Sequence, residues 1–141
     1  MSKGLKIVGG VIGLALLLLI AVAMSGVGTK EVQVGVYKAD YNSMGTQTII
    51  QKLPEGTTSV RVVYELKDAT GYGMANGNVG IANGNLPQGA DPFMNGDVFD
   101  SKYLDAGNGP ISGELKFTGG ENFVYTGMFD GTFTVYATVP A

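Results

Sequence analysis

Residues Thr132–Thr138 read TFTVYAT, and this stretch carries the pattern that decides the fold. Phe133, Val135 and Ala137 are apolar, while the positions between them carry threonine or tyrosine. An alternation with a period of two residues is typical of a β-strand that buries one face. The stretch therefore predicts a strand with its odd-numbered side chains in a core.

The same alternation recurs in three other stretches. Its predicted core positions are Val32, Val34 and Val36, then Val60, Val62, Tyr64 and Leu66, and finally Ile111, Leu115 and Phe117. Weaker candidate strands cover 46–53, 79–82, 98–104 and 122–126. Seven or eight short strands, with no helical periodicity after Gly28, predict an all-β domain. We expect an antiparallel β-sandwich of immunoglobulin-like or jelly-roll type.

Turn-forming residues separate the predicted strands. Asn76-Gly77 and Asp130-Gly131 are expected to form turns, because asparagine, aspartate and glycine tolerate positive φ angles. Gly119-Gly120 is expected to close a hairpin between 111–118 and 122–126. The stretch 70–109 is the least regular and is expected to supply most of the long loops at one end of the sandwich.

An uninterrupted apolar run precedes the β domain. Ile7–Met24 reads IVGGVIGLALLLLIAVAM, and continuing the helix to Gly28 gives roughly 30 Å, enough to cross a bilayer core. Lys3 and Lys6 should stay on the cytoplasmic side. The sequence thus predicts a basic cytoplasmic leader at 1–6, a transmembrane helix or signal anchor at 7–28, and an extracytoplasmic, cell-surface domain at 30–141.

A cleaved secretory signal is the competing interpretation, with Ala21-Val22-Ala23 as the small-residue cleavage site. The apolar core from Ile7 to Met24 has 18 residues, whereas signal-peptide cores usually have about 7 to 15. The length of the run favours an uncut anchor.

Composition excludes several classes of function. The chain has no Cys and no His, so it has no thiolate nucleophile, no imidazole base and no ordinary zinc or haem site. Its formal charge is −3, and residues 30–141, with 7 basic and 12 acidic side chains, carry −5. Such a domain has no basic stripe for nucleic acid. We expect a protein that is not an enzyme and needs no cofactor.

Acidic and amide side chains cluster between residues 91 and 105. Carboxylate and amide oxygens are the ligands that calcium prefers. The spacing does not reproduce a known calcium loop, and Asx-Gly pairs are primarily turn formers. The candidate calcium ligands are Asp91, Asn95, Asp97, Asp100 and Asp105.

Small residues mark one face of the predicted membrane helix. Gly9 and Gly13 form a small-xxx-small pair, and Gly10 lies beside them. This spacing lets a second helix approach closely, so it favours association with another copy or with other subunits of an assembly.

The start of the chain, MSKGLKIVGGVIG at residues 1–13, together with the apolar helix and the β domain after it, resembles a type IV pilin-like subunit of archaeal kind. The resemblance covers about the first 28 residues, and Lys3-Gly4 corresponds to the end of the short basic leader in such precursors. It implies that the apolar helices bundle into the core of a filament.

Two classes of function follow. The first is a non-enzymatic structural subunit whose helix packs into a surface filament, a membrane-containing virion or a membrane complex, with the sandwich exposed. The second is a tethered binding module whose loops within 70–109 grip a glycan, a protein or an ion. Tyr72 and Met74 are the expected exposed contacts in those loops.

Overall fold

The computed structural model describes residues 28–41, 45–87, 91–94, 98–107 and 109–141. These residues form eight strands: β1 (Thr29–Asp40), β2 (Gln47–Lys52), β3 (Ser59–Asp68), β4 (Ala75–Ala82), β5 (Val98–Gly107), β6 (Ile111–Thr118), β7 (Asn122–Gly127) and β8 (Phe129–Pro140). The described part of the chain is therefore all-β, as the alternation predicts.

The strands pack as two four-stranded antiparallel sheets. Sheet A has the order β1-β8-β3-β6 and sheet B the order β2-β7-β4-β5. Each strand pairs with its mirror position in the chain, so that β1 pairs with β8, β2 with β7, β3 with β6 and β4 with β5. One long hairpin rolled into two sheets has this pairing, which is the jelly-roll arrangement. An immunoglobulin-like sandwich, whose first strand pairs with its second, is excluded.

The core lies between the sheets and confirms the alternation in β3, β6 and β8. Val60, Val62 and Leu66 of β3 are buried and Tyr64 packs against the core, whereas the residues that alternate with them face outward. Phe133 of β8 packs at the centre, with its ring 4.7 Å from that of Tyr125 in β7. Burial of these aromatic rings together with the aliphatic side chains of the core stabilises a domain that has no disulfide bonds.

Strand β1 departs from the predicted alternation at its middle. Its pairing with β8 skips Val34, which has no partner of its own. An extra residue of this kind is a β-bulge, and it reverses the faces of the residues that follow. The prediction that Val36 faces the core is therefore wrong. Val36 is 54% exposed, and Tyr37 packs against the core instead.

Strand β7 is buried on both of its faces. Phe123 packs in the core, whereas Val124 and Thr126 point to the outer side of sheet B. The connection between β4 and β5 crosses that side, where Pro92 is fully buried and Asp91 Oδ1 lies 3.5 Å from Thr126 Oγ1. Burial on both faces explains why β7 gives only a weak alternation.

The predicted hairpin at Gly119-Gly120 is wrong, because β6 and β7 lie in different sheets. The two glycines carry the chain from sheet A to sheet B. A Cβ atom on Gly119 would overlap the backbone of Thr57, and one on Gly120 would overlap the side chain of Ile81. Glycine is required here by close packing and not by a two-residue turn.

Two predicted turns lie inside strands. Asn76-Gly77 belongs to β4, and a Cβ atom on Gly77 would lie 2.9 Å from the carbonyl oxygen of Thr126 in the neighbouring strand. Asp130-Gly131 belongs to β8, where Gly131 has a φ of 137° and its Cβ position is occupied by the carbonyl of Glu65. Both glycines allow the backbones to approach closely.

The ends of the strands define two poles. The base contains the start of β1, the end of β8, and the connections β2–β3, β4–β5 and β6–β7. The distal pole contains the connections β1–β2, β3–β4, β5–β6 and β7–β8. Ala141 N donates a hydrogen bond to Gly28 O at 2.7 Å, so the two ends of the described domain meet at the base.

Side chains bridge the two open sides between the sheets. On one side, Asp100 of β5 accepts a hydrogen bond from the backbone N–H of Thr118 in β6 at 3.0 Å. On the other, the side-chain amide of Gln47 in β2 accepts from Asp40 N at 2.6 Å and donates to Lys38 O at 3.2 Å, both in β1. These bonds satisfy backbone groups at sheet edges, which otherwise invite further pairing.

Candidate functional site

The distal pole carries a short, strongly hydrogen-bonded loop between β3 and β4, which we call the distal loop (residues 68–74). Asp68 organises it. One of its carboxylate oxygens accepts hydrogen bonds from the N–H and the hydroxyl of Thr70, at 2.9 and 2.6 Å. The other oxygen accepts a hydrogen bond from the N–H of Gly73 at 2.8 Å. An aspartate that bonds the N–H two residues ahead forms an Asx-turn, which fixes the local backbone.

Thr70 extends this network toward β4. Its hydroxyl oxygen accepts hydrogen bonds from the N–H groups of Tyr72 and Met74, both at 3.2 Å. Gly71 and Gly73 adopt φ angles of 80° and 72°, which glycine reaches without steric cost. The loop conformation is therefore fixed by its own residues before any partner binds.

Two large side chains point into solvent from this fixed backbone. Tyr72 is 82% exposed and Met74 is 65% exposed. The prediction that these two side chains are exposed is confirmed, and their role as contacts stays a prediction. Tyrosine and methionine are side chains that protein interfaces use as anchors, so the distal loop is the strongest candidate site among the described residues.

The hydrogen bonds around Asp68 also determine its charge. The hydroxyl and N–H of Thr70, and then the N–H of Gly73, lower the pKa of Asp68 to about 2. Donors that stabilise the ionised carboxylate lower its pKa in this way. Asp68 therefore carries a negative charge at neutral pH, directly beside the exposed side chains.

The stretch 70–109 does not place its loops at one end, so that prediction is wrong. The β3–β4 connection lies at the distal pole, whereas the β4–β5 connection lies at the base and folds over sheet B. The reason is the pairing of β4 with β5, which returns the chain along the full length of the sandwich. The β4–β5 connection nevertheless reaches Thr126, one residue before the distal end of β7.

The predicted calcium ligands are used for local hydrogen bonds wherever they are described. The carboxylate of Asp91 accepts a hydrogen bond from the backbone N–H of Phe93, and that of Asp105 accepts one from the backbone N–H of Gly107, both at 2.9 Å. Asp100 accepts from Thr118 across the two sheets. Each carboxylate therefore stabilises a turn or an edge.

The geometry separates two of these ligands from each other. Asp100 and Asp105 lie five residues apart along β5, a span of about 17 Å in an extended strand. Among the described residues, no three acidic side chains come close enough to hold a metal ion. Asn95 and Asp97 lie outside the described residues, so the calcium site stays a prediction.

The outer face of sheet A carries an ion cluster centred on Arg61 of β3. Its guanidinium donates to Glu31 of β1 at 2.8 and 3.0 Å and to Glu114 of β6 at 3.3 Å, and it lies 4.1 Å above the ring of Tyr136 in β8. The hydrogen bonds to Glu31 are the main cause that raises the pKa of Arg61. One side chain thereby connects all four strands of sheet A, which indicates a structural role.

The predicted membrane segment lies almost entirely outside the described residues. Gly9, Gly10 and Gly13, the candidate helix-packing residues, are not among them. Within the described ranges no helix has the length and apolar character needed to span a bilayer.

No protein-family model matches the chain, and no curated protein is significantly similar to it.

Proposed function

We propose that the protein is a non-enzymatic, membrane-anchored structural subunit. In this proposal residues 7–28 form a helix that packs with other copies or subunits in a larger assembly. The assembly is a surface filament, a membrane-containing virion or a membrane complex. The jelly roll is displayed on the extracytoplasmic side, with its distal pole outward.

The observation that supports this proposal is that the sandwich begins directly after the residues predicted to form the helix. Strand β1 begins at Thr29, one residue after the predicted helix ends. Gly28 has a φ of 87°, the conformation that glycine adopts directly after the last turn of a helix. Its carbonyl is also held by the N–H of Ala141.

A direct junction favours a structural role over a flexible tether. A linker of several polar residues would let the domain move freely relative to an anchor. Here a helix fixed in an assembly would pass its orientation to β1, and β1 pairs with β8 from its first residue. Every copy in the assembly would then present the sandwich in the same way.

A second candidate function is a tethered binding module, and the distal loop favours it. Tyr72 and Met74 are exposed on a backbone that Asp68 and Thr70 already fix. Such a surface suits the recognition of another molecule, whether or not the helices assemble.

The discriminating experiment changes the glycine face of the predicted helix. Replacing Gly9 and Gly13 with Leu should push a neighbouring backbone away and reduce the amount recovered in large assemblies, measured by crosslinking and by sedimentation from mild detergent. Ala15→Leu is the matched control, because at about 100° per residue it lies on the opposite side of the helix. Membrane insertion and the melting of the β domain should be unchanged in both variants.

Undiminished assembly of the double variant, or a parent protein that is monomeric throughout, would reject the structural subunit and leave the binding module.

Two further measurements test the topology and the start of the mature chain. Protease added to intact cells should remove the domain at 30–141 and leave the amino terminus protected. Mass spectrometry should find residues before Met24. A mature start at Leu5 would support pilin-type processing, whereas a start at Met24 would indicate secretion.

A further inference from the structure

We propose that the distal pole docks into an apolar pocket with a basic rim on a protein partner. Tyr72 and Met74 enter the pocket, and the carboxylates around them pair with Lys or Arg at the rim. This inference rests on the second candidate function above, and it does not depend on whether residues 7–28 assemble.

The first argument is preorganisation of the distal loop. Binding a flexible loop loses affinity to the entropy of ordering it, and a loop held by its own hydrogen bonds avoids most of that cost. Asp68 accepts three hydrogen bonds and Thr70 accepts two within seven residues. Large apolar side chains such as Tyr72 and Met74 gain nothing from exposure to water, so their display on an ordered loop indicates an interaction surface.

The second argument is the charge of the pole. The strand ends there carry two lysines against five carboxylates, a net charge of −3 out of −5 for residues 30–141. These residues are Lys38, Asp40, Glu65, Lys67, Asp68, Asp105 and Asp130. A concentrated negative field beside an apolar anchor fits a partner whose rim is positive.

The third argument is a charge arrangement that does not favour folding. Asp40 of β1 lies directly opposite Asp130 of β8 in the register of sheet A. Like charges at opposed positions of antiparallel strands are destabilising. Lys67 lies opposite Asp130 on the other side, and Lys38 lies two residues before Asp40 on the same face, but neither lysine forms an ion pair with the two aspartates. Local conflicts of this kind are expected where a surface serves binding.

A cavity at the same pole has room for a basic side chain. Its volume is about 450 Å³, and its polar lining consists of Glu65, Lys67, Ser112 and Asp130. A lysine or arginine of the partner placed there would meet two carboxylates and one lysine, so the lining keeps a net negative charge. Charge-assisted hydrogen bonds to carboxylates are the strong kind.

The charge also favours a protein over the other possible occupants. An anionic bilayer surface would be repelled by a pole with a net charge of −3. Two copies meeting pole to pole would bring the same carboxylates together. Among the described residues the base offers no basic complement either, since Lys30 and Lys52 are balanced there by glutamates (Glu31, Glu55 and Glu121).

The test uses the full chain, purified in mild detergent, so it is independent of the assembly state. The probe is a random peptide library displayed on phage, selected on the parent protein. We expect the enriched peptides to combine a large apolar residue with flanking Lys or Arg. The double variant Tyr72→Ser/Met74→Ser should bind the synthetic peptides about tenfold more weakly or worse. Tyr103→Ser is the matched control, because Tyr103 is 61% exposed on β5, and its affinity should match the parent's.

Two further measurements complete the test. Asp40→Asn/Asp130→Asn should weaken binding without changing the distal loop, and salt at about 1 M, where the Debye length is about 3 Å, should do the same. The proposal is overturned if no peptide is enriched, if the enriched peptides lack basic residues, or if they bind the Tyr72/Met74 double variant as well as the parent. Retention of the parent on phosphatidylcholine vesicles, or self-association, would also overturn it if lost in that same variant, because the occupant would then be a lipid surface or a second copy.

Discussion

The hydroxyl of Tyr125 accepts a hydrogen bond from the backbone N–H of Phe129 at 3.2 Å, inside the core. The two residues flank the point where the chain leaves sheet B at Gly127 and enters sheet A at Phe129. Both side chains are fully buried, and their rings lie 6.4 Å apart. The bond thus satisfies a backbone donor that is buried at the corner between the sheets.

Replacing Tyr125 with Phe tests this corner. The ring would still fill its site, but the N–H of Phe129 would be left buried without a partner. We expect a loss of about 1 to 3 kcal/mol in the free energy of unfolding, measured by urea denaturation. Tyr103→Phe, at an exposed position on β5, should stay within about 0.5 kcal/mol of the parent. Equal stability of Tyr125→Phe and the parent would show that the bond contributes nothing.

Alkaline pH should destabilise the domain through the same tyrosine. Burial raises the pKa of Tyr125 from its ordinary value of 10 to about 12, and burial also raises that of Tyr37 to about 12. Between pH 10 and 12 the unfolded tyrosines lose protons that the folded ones keep, so stability falls as pH rises. Below pH 10 both states stay protonated, and this stability is fully present. Tyr125 alone should account for about 2 kcal/mol.

Denaturation at a series of pH values measures this effect. The alkaline fall should be smaller in Tyr125→Phe and unchanged in Tyr103→Phe. A parent protein whose stability is flat between pH 10 and 12 would contradict the burial of these hydroxyls.

How far the fold could be predicted depended on what each face of a strand meets. In β3, β6 and β8 one face meets the core and the other meets water, so alternation located their core positions. In β7 both faces are buried, and in β1 the bulge at Val34 reverses the faces, so the pattern is weak or misleading. The turn predictions at Gly77, Gly119 and Gly131 failed for one reason. Glycine there provides close contact between backbones, and sequence alone does not distinguish that need from a turn.

The candidate site could be predicted in part. The exposure of Tyr72 and Met74 followed from their glycine-rich surroundings. The role of Asp68 was missed, although Asp68-Ala69-Thr70 is an Asx-turn signal that could have indicated it. The opposition of Asp40 and Asp130 could not be predicted, because it depends on the register between the first and last strands of the fold.

Removing the carboxylate of Asp68 should loosen the distal loop and little else. Asn at this position keeps the size of the side chain but loses one acceptor oxygen and the charge. We expect faster proteolysis between Asp68 and Ala75 and faster amide exchange at Gly73, with the core strands unchanged. The parent should behave in the same way as pH falls from about 4 toward 2. The hydrogen bonds that lower the pKa of Asp68 to about 2 stabilise the ionised carboxylate, so this stabilisation is lost when the carboxylate is protonated. Exchange at Gly73 that is the same in the variant and the parent would contradict the assigned role.

Calcium should contribute little to the stability of the domain. Three of the five candidate ligands already accept hydrogen bonds from their own neighbourhood. Chelation should leave the melting temperature of the full chain in detergent essentially unchanged. A melting temperature that rises with calcium concentration would show binding to the native state, and Asp97 and Asp100 would then be the first residues to replace with Asn.

Two glycines with unusual φ angles should respond very differently to alanine. Gly131 has a φ of 137° and no room for a Cβ atom beside the carbonyl of Glu65, whereas Gly84 has a φ of 99° and open space around it. Both substitutions place alanine in a conformation that L-residues avoid, and at Gly84 that should cost about 1 to 2 kcal/mol of unfolding free energy. At Gly131 the strands β3 and β8 must also separate, so the loss should exceed about 4 kcal/mol or prevent folding. Urea denaturation of Gly84→Ala, and the yield of soluble Gly131→Ala together with its circular dichroism, measure the two. Equal losses would mean that the close approach of β3 and β8 at Gly131 is not a requirement of the fold.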